Sequence, residues 1–422
     1  MVGAKTPDVS PEVFKSFFAK IQELLRAEKI LAGHDVSSGG LIVTLLEMSF
    51  AGDIGFDAQI DSERLLFSEK PGVVIQVREA DEQELIKEFS ELGLEVLSLG
   101  AVGGDAIKVK TDNSELVEYV ASLRDVWFKP SSLLDEKQTY PGFAQKRYQN
   151  YASQKLSYDF KNFKEVDVGD TGEVRAAIIR DKGTNGDREL AYALHAAGFL
   201  VKDIAMPDLM SGRETLEDVS FLAFPGGFSN SDVLGSARGW AGSFIYNEPA
   251  LRALESFKSR PDTLSLGVCN GCQLMAHLDL LCPELAEKPS LMHNDSRKFE
   301  SIFLNVDIEK TASVMLKPLE GQRLGIWVAH GEGKFELSGE EENYDIPMKY
   351  SYSEYPGNPN GSKYKAAAVV SSDGRHLAMM PHLERSTFSW QWPYRNKQIS
   401  VEAGTPWLAA FVAARQWIQN TK

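Results

Sequence analysis

The run Leu264-Ser-Leu-Gly-Val-Cys269-Asn-Gly-Cys-Gln273 sets one cysteine between two glycines, Gly267 and Gly271, directly after an apolar stretch. That pattern reads as strand, sharp turn, helix: a nucleophile elbow with Cys in place of Ser, whose glycines permit the turn. Two effects would favour a thiolate at Cys269, the helix N-terminus that follows it and the accessibility the turn confers. The backbone N–H of Asn270 would then point to where an oxyanion develops. A second donor loop is Pro225-Gly226-Gly227-Phe228-Ser229, whose glycines let backbone amides approach a ligand. The same residues could form a plain tight turn. Cys269-x-x-Cys272, with His277 and Cys282 nearby, also has the spacing of zinc ligands, although no second Cys-x-x-Cys completes the set.

A cysteine nucleophile needs a base. Among seven histidines, His382 stands out in Met380-Pro-His-Leu-Glu384-Arg, because residues i and i+2 share a face in extended chain. Glu384 can therefore orient the ring, the third-group role of a triad. His330, in His330-Gly-Glu-Gly, competes for the same role.

The elements around these residues change character along the chain. From Glu173 strand and helix alternate: strands over 174–179, 199–204, 219–224 and 264–268, helices over 187–197 and 250–259, and a final amphipathic helix over 406–418. Such alternation predicts an α/β fold with a doubly wound, mostly parallel sheet, whose ligands bind at the carboxyl ends of the strands. Residues 1–128 read differently. Helices are expected over 11–25, 41–50 and 81–92, and strands over 73–77, 95–99 and 106–109, an α+β layer. Residues 129–172, polar and carrying Pro130 and Pro141, read as a linker or small connecting subdomain. The third domain is 173–422.

Composition bounds the function. The 422 residues carry 45 basic and 60 acidic side chains, a net charge of −15, with no clustered basic run, so no nucleic-acid partner is expected. No apolar stretch nears the roughly 20 residues of a membrane span, and the opening residues resemble neither a signal nor a transit peptide. Three cysteines suggest no disulfide framework and a reducing cytoplasm.

Pro-Gly-Gly-Phe-Ser, Gly-Val-Cys-Asn-Gly-Cys-Gln and Pro-His-x-Glu-Arg, in that order, resemble a class I glutamine amidotransferase domain. Thr184-Asn-Gly-Asp-Arg-Glu, His293-Asn-Asp-Ser-Arg-Lys-Phe-Glu-Ser301, His330-Gly-Glu-Gly-Lys-Phe and Asn358-Pro-Asn-Gly-Ser narrow the resemblance. Together they resemble the C-terminal part of the large form of phosphoribosylformylglycinamidine synthase. Residues 1–128 then look like the end of its second synthetase half, an AIR synthase-like remnant, where the family carries His-Asp-Val-Ser-Asp-Gly-Gly-Leu; here Ser38 replaces the second Asp. The family is about three times longer, so the resemblance implies a fragment lacking the N-terminal synthetase part, its natural partner.

The resemblance also implies roles. Cys269 matches the nucleophile, His382 the base and Glu384 the orienting acid. Gly226, Gly227, Phe228 and Asn270 fall at the oxyanion hole and its loop, and Gln273 where substrate glutamine is held. Asp35 matches a magnesium ligand and Ser37 a nucleotide contact, ATP and Mg2+ serving the intact enzyme but not the glutaminase step. The implied reaction is glutamine hydrolysis, with ammonia passed to an ATP-dependent ligase of purine biosynthesis that converts formylglycinamide ribonucleotide to its amidine. A γ-glutamyl hydrolase or cysteine peptidase on the same fold, and a non-catalytic nucleotide- or partner-binding piece, are the rival readings.

Overall fold

The computed structural model describes residues 10–158, 172–393, 400 and 403–421, which divide into two units between Ser131 and Ser132. In the first, helix Pro11–Arg26 starts where the Ser10 hydroxyl accepts from the Val13 N–H at 3.4 Å and a proline occupies the first position. Its Leu24 packs with Leu85 and Phe89 of helix Glu82–Glu91. Strands Ile30–Asp35 and Val73–Val77 pair antiparallel. A second core, including Leu41, Phe56, Ile107 and Val109, joins helix Gly40–Gly52 to a four-stranded sheet. The order across that sheet is Gly100–Val102, Phe56–Gln59, Ala106–Lys110, Glu115–Tyr119.

One expected strand is displaced. Residues 95–99 form no strand, and pairing begins only at Gly100. The reason is packing: Leu94 and Val96 turn their apolar side chains onto the Leu24–Leu85–Phe89 core, and the Ser98 hydroxyl donates to Glu82.

Residues 129–158 are more ordered than their composition suggests. Helix Val120–Asp135 runs through Pro130, and helix Phe143–Asn150 follows; residues 159–171 lie outside the described part. Within the second unit, Arg147 bonds Glu300 at 2.7 Å and lies 3.2 Å from Asp135, whose carboxylate also pairs with Lys298. Long-range ion pairs, invisible to a local polarity scan, hold this segment against residues 298–300.

The second unit is built on a nine-stranded sheet. Its order is Arg323–His330, Glu300–Ile308, Asp345–Tyr350, Ala366–Val370, His376–Met379, Leu264–Val268, Phe221–Phe224, Arg175–Arg180, Leu200–Ala205. From His376–Met379 to the last strand every pairing is parallel. The other four pairings are antiparallel, so the parallel half predicted from strand–helix alternation continues into an antiparallel arm. Parallel strands covered on both faces should be apolar throughout, and Ala176 to Ile179, Phe221 to Phe224 and Leu264 to Val268 are all buried. The covering helices obey the same logic. Helix Glu248–Ser259 is capped by Asn247, which accepts from the Ala250 N–H at 3.0 Å, and buries Ala250, Leu254 and Phe257. Helix Asp187–Ala196 buries Leu190, Ala193 and Leu194, and Pro406–Thr421 buries Trp407, Phe411 and Ile418. Each such large side chain contributes roughly 1.5–3 kcal/mol of burial.

Candidate active site

Strand Leu264–Val268 is central in the parallel half and ends at Cys269, after which helix Asn270–His277 begins. Cys269 has φ 52° and ψ −106°, a backbone conformation costing an L residue roughly 1–3 kcal/mol. The flanking glycines make the bend possible for a steric reason. A Cβ on Gly271 would sit 2.0 Å from the Phe224 carbonyl oxygen, and one on Gly267 would sit 2.5 Å from the Gly271 carbonyl oxygen. Gly271→Ala must therefore push strand and helix apart. Overpacking of this kind costs about 1–3 kcal/mol, and a thermal melt should show the variant unfolding several degrees earlier. The elbow is tighter than expected: Cys269 is only 7% exposed, and its thiol donates to the Ala329 carbonyl at 3.5 Å.

His382 and Glu384 reach the same place from the end of the neighbouring strand, His376–Met379. The His382 N–H donates to the Trp327 carbonyl at 2.8 Å, fixing the chain before a single 3-10 turn, Leu383–Arg385. That turn replaces the extended run foreseen from sequence, yet Nδ1 of His382 still meets Oε1 of Glu384 at 2.7 Å. Both side chains are buried. A Cβ on Gly226 would lie 2.9 Å from Cε1 of His382 and 3.5 Å from Cβ of Cys269, so Gly226 leaves the space in which ring and sulfur face each other. Burial disfavours a charged ring, but the Glu384 carboxylate and the Cys269 sulfur outweigh it and push His382 up to about 10. His330 goes the other way, to about 3, through burial and the charge of His382.

The raised value has a signed consequence. A ring whose folded pKa exceeds its ordinary 6.5 contributes stability that is complete below 6.5 and lost as pH rises through about 10. The wild-type advantage in melting temperature over His382→Gln should accordingly shrink across that window, in paired thermal unfolding at pH 6 and pH 10.

The donor loop follows strand Phe221–Phe224. Gly227 has φ 126°, and a Cβ there would lie 2.6 Å from the Asn185 nitrogen, so only glycine fits against the 183–185 turn. The Phe228 N–H is committed to the Gly183 carbonyl at 2.9 Å, and the Phe228 ring is half exposed beside Phe299, centroids 6.2 Å apart. Asn270, buried, accepts from the Ser229 N–H at 3.1 Å and donates to Asp232 at 3.2 Å and Gln273 at 3.0 Å. Gln273 in turn donates to the Glu332 carbonyl at 2.6 Å. The structure thus brings Cys269, His382, Glu384, Gly226, Gly227, Phe228, Asn270 and Gln273 into one neighbourhood.

Asp35 and Ser37 belong to the first unit. The Asp35 side chain is 76% exposed and, among the described residues, pairs with the His34 ring at 3.5 Å. Among the described residues no group of three or more His, Cys, Asp or Glu could hold a metal, so Asp35 by itself does not fit a magnesium site. The same holds for the zinc alternative: Cys272 lies inside the helix, and burial raises its thiol well above the ordinary range.

Asp232 and Asn294 escaped the sequence reading. Asp232 closes a run of three non-glycine residues with positive φ, Asn230, Ser231 and Asp232, and fixes Asn270. A polar Ser-Asn-Ser-Asp run straight after Gly-Gly-Phe was the available signal, since Asn and Asp tolerate this region best. Asn294, buried, bonds the His330 ring at 3.1 Å, and nothing in the local sequence marks it.

Residues 173–418 match the CobB/CobQ-like glutamine amidotransferase domain, and residues 4–112 match the C-terminal domain of AIR synthase related proteins. The chain belongs to the CobB/CobQ-like glutamine amidotransferase family. Over 99% of its length it is 37% identical to a probable phosphoribosylformylglycinamidine synthase, chloroplastic/mitochondrial, of Arabidopsis thaliana, covering 32% of that protein. It is equally identical to the phosphoribosylformylglycinamidine synthase of Homo sapiens, covering 34% of it. The chain therefore spans about a third of the length of these relatives. Among solved structures, PurLQS from Thermotoga maritima aligns with 59% of this chain and 99% of its own, at 24% identity and TM-score 0.44. Among the described residues no helix is long and apolar enough to cross a membrane.

Proposed function

We propose that this chain is the glutaminase portion of a phosphoribosylformylglycinamidine synthase, working through Cys269, His382 and Glu384. The observation that carries the proposal is the strained Cys269 elbow facing a buried His382–Glu384 pair within an amidotransferase-family domain. Glu384 holds the ring with Nδ1 protonated, leaving Nε2 for the thiol and the leaving group. The Cys269 thiolate attacks the side-chain carbonyl of glutamine, and the oxygen, now negative, is received by the N–H groups of Gly227 and Asn270. His382 gives its Nε2 proton to the amide nitrogen, the C–N bond breaks, and ammonia leaves a glutamyl thioester. Water, losing its proton to His382, then hydrolyses the thioester. Phe228 and Gln273 shape the pocket, Gln273 by fixing Asn270 and the Glu332 backbone.

The companion step, ATP-dependent amination of formylglycinamide ribonucleotide, belongs to the longer enzyme. We assign it to the whole protein rather than to Asp35 and Ser37 of this chain. The synthetase part present in the relatives is the natural partner. A reducing compartment suits the three free, buried cysteines. Glutamate release from glutamine tests the reading, with γ-glutamyl peptides as the rival substrates. Cleavage of γ-glutamyl peptides in preference to glutamine would favour a γ-glutamyl hydrolase instead.

A further inference from the structure

Two imidazoles share the site, and only one has a role so far. His330 is 2% exposed and ends strand Arg323–His330, directly after Ala329, whose carbonyl receives the Cys269 thiol. Two residues on, the Glu332 carbonyl holds Gln273. The segment 329–332 is therefore a wall of the pocket around Cys269.

The tautomer of His330 follows from its partner. The side-chain NH2 of Asn294 donates to the carbonyls of Lys298, at 2.9 Å, and His330, at 2.7 Å. That fixes the Asn294 amide, so its Oδ1, 3.1 Å from Nδ1 of His330, is the acceptor. Nδ1 then carries the hydrogen and Nε2 carries a lone pair. Burial keeps the ring neutral at any working pH. Yet Nε2 of His330 is buried with no hydrogen-bond partner among the described residues. It is not bonded to the His382 ring, and the thiol hydrogen already has Ala329. A buried acceptor without a donor costs about 1–3 kcal/mol, a cost that binding a donor relieves. The donor still to be placed is the one the reaction brings: the N–H of the glutamine amide.

We propose that His330 is a substrate-contacting residue whose Nε2 lone pair accepts an N–H of the glutamine side-chain amide and keeps that nitrogen in line with His382 as it leaves. The inference rests on the glutaminase reading. His330 changes no protonation state: the proton on the departing nitrogen comes from His382, and the C–N electron pair leaves with ammonia. Neutrality is what the role requires, because an imidazolium would repel a nitrogen acquiring positive charge.

The test compares glutamine with γ-glutamyl methyl ester, which uses the same nucleophile and oxyanion donors but leaves as methanol, with no N–H to offer. His330→Leu in the full chain should lower kcat/KM for glutamine by roughly 10-fold, about one hydrogen bond to a buried group. The same variant should change ester hydrolysis less than about threefold. His330→Gln, which restores an acceptor near the Nε2 position, should recover most of the glutamine rate. If the leucine variant fails to fold, His330→Phe takes its place as the acceptor-free comparison. Equal losses on both substrates, or a glutamine variant as slow as the acceptor-free one, would overturn the proposal while leaving the glutaminase reading standing. A wild-type chain that turns over neither substrate, alone or with the missing synthetase part added in trans, overturns both.

Discussion

Cys269→Ala abolishes glutamine hydrolysis, whereas Cys272→Ala and Cys282→Ala retain it. Removing a nucleophile that acts in concert with a base costs on the order of 10⁶-fold in kcat, which places the variant at the assay floor. The other two thiols have neither the position nor the ionisation for the role. Cys272 is packed inside helix Asn270–His277, and burial raises its thiol well above the ordinary range. Cys282 is pushed to about 11, again first by burial. Only Cys269 adjoins a buried imidazole–carboxylate pair. Each alanine variant should be assayed for glutamate release at matched folded concentration. Survival of activity in Cys269→Ala would remove the covalent mechanism altogether.

His382→Ala loses roughly 10²- to 10⁴-fold in kcat, the usual range for a positioned general acid–base, and His330→Ala loses about tenfold. The separation between them is the informative quantity. His382 is held in its charged form by Glu384 and the Cys269 sulfur, so it has a proton to give; His330 lies near 3 and has none. Glu384→Gln should lose about as much as His382→Ala, because the glutamine NH2 can face Nδ1, hold the ring in the wrong tautomer and no longer stabilise its charge. Single-turnover rates of glutamine cleavage by the three variants provide the check. Equal losses at His382 and His330 would leave the base unassigned.

The parts legible in the sequence are those whose signal is local. Gly267, Cys269 and Gly271 sit within five residues, and the reason for both glycines, carbonyl oxygens 2.0–2.5 Å from where a Cβ would be, is built into the turn. His382 and Glu384 are two apart, so their meeting could be foreseen, although a 3-10 turn rather than an extended run brings it about. The parallel half of the sheet announced itself through buried strands alternating with amphipathic helices. The antiparallel arm did not: Glu300–Ile308 and Arg323–His330 alternate less cleanly because both faces are largely covered. Segment 132–150 looked like linker because Asp135 and Arg147 find their counter-charges at Lys298 and Glu300, some 150 positions away. Asn294 was hidden for the same reason, its role depending on a histidine 36 residues on. Charge and polarity that are satisfied only in the folded chain read as solvent-exposed in the sequence.

The central claim is that Cys269, in this fold, forms the covalent bond to the glutamine side chain. It is tested most directly by treating the full chain with a diazo ketone analogue of glutamine and locating the adduct by peptide mass spectrometry. The account predicts one adduct per chain, on Cys269, suppressed by excess glutamine and slowed in His382→Ala. An adduct on Cys272 or Cys282, or labelling of Cys269 that glutamine does not compete, would contradict it.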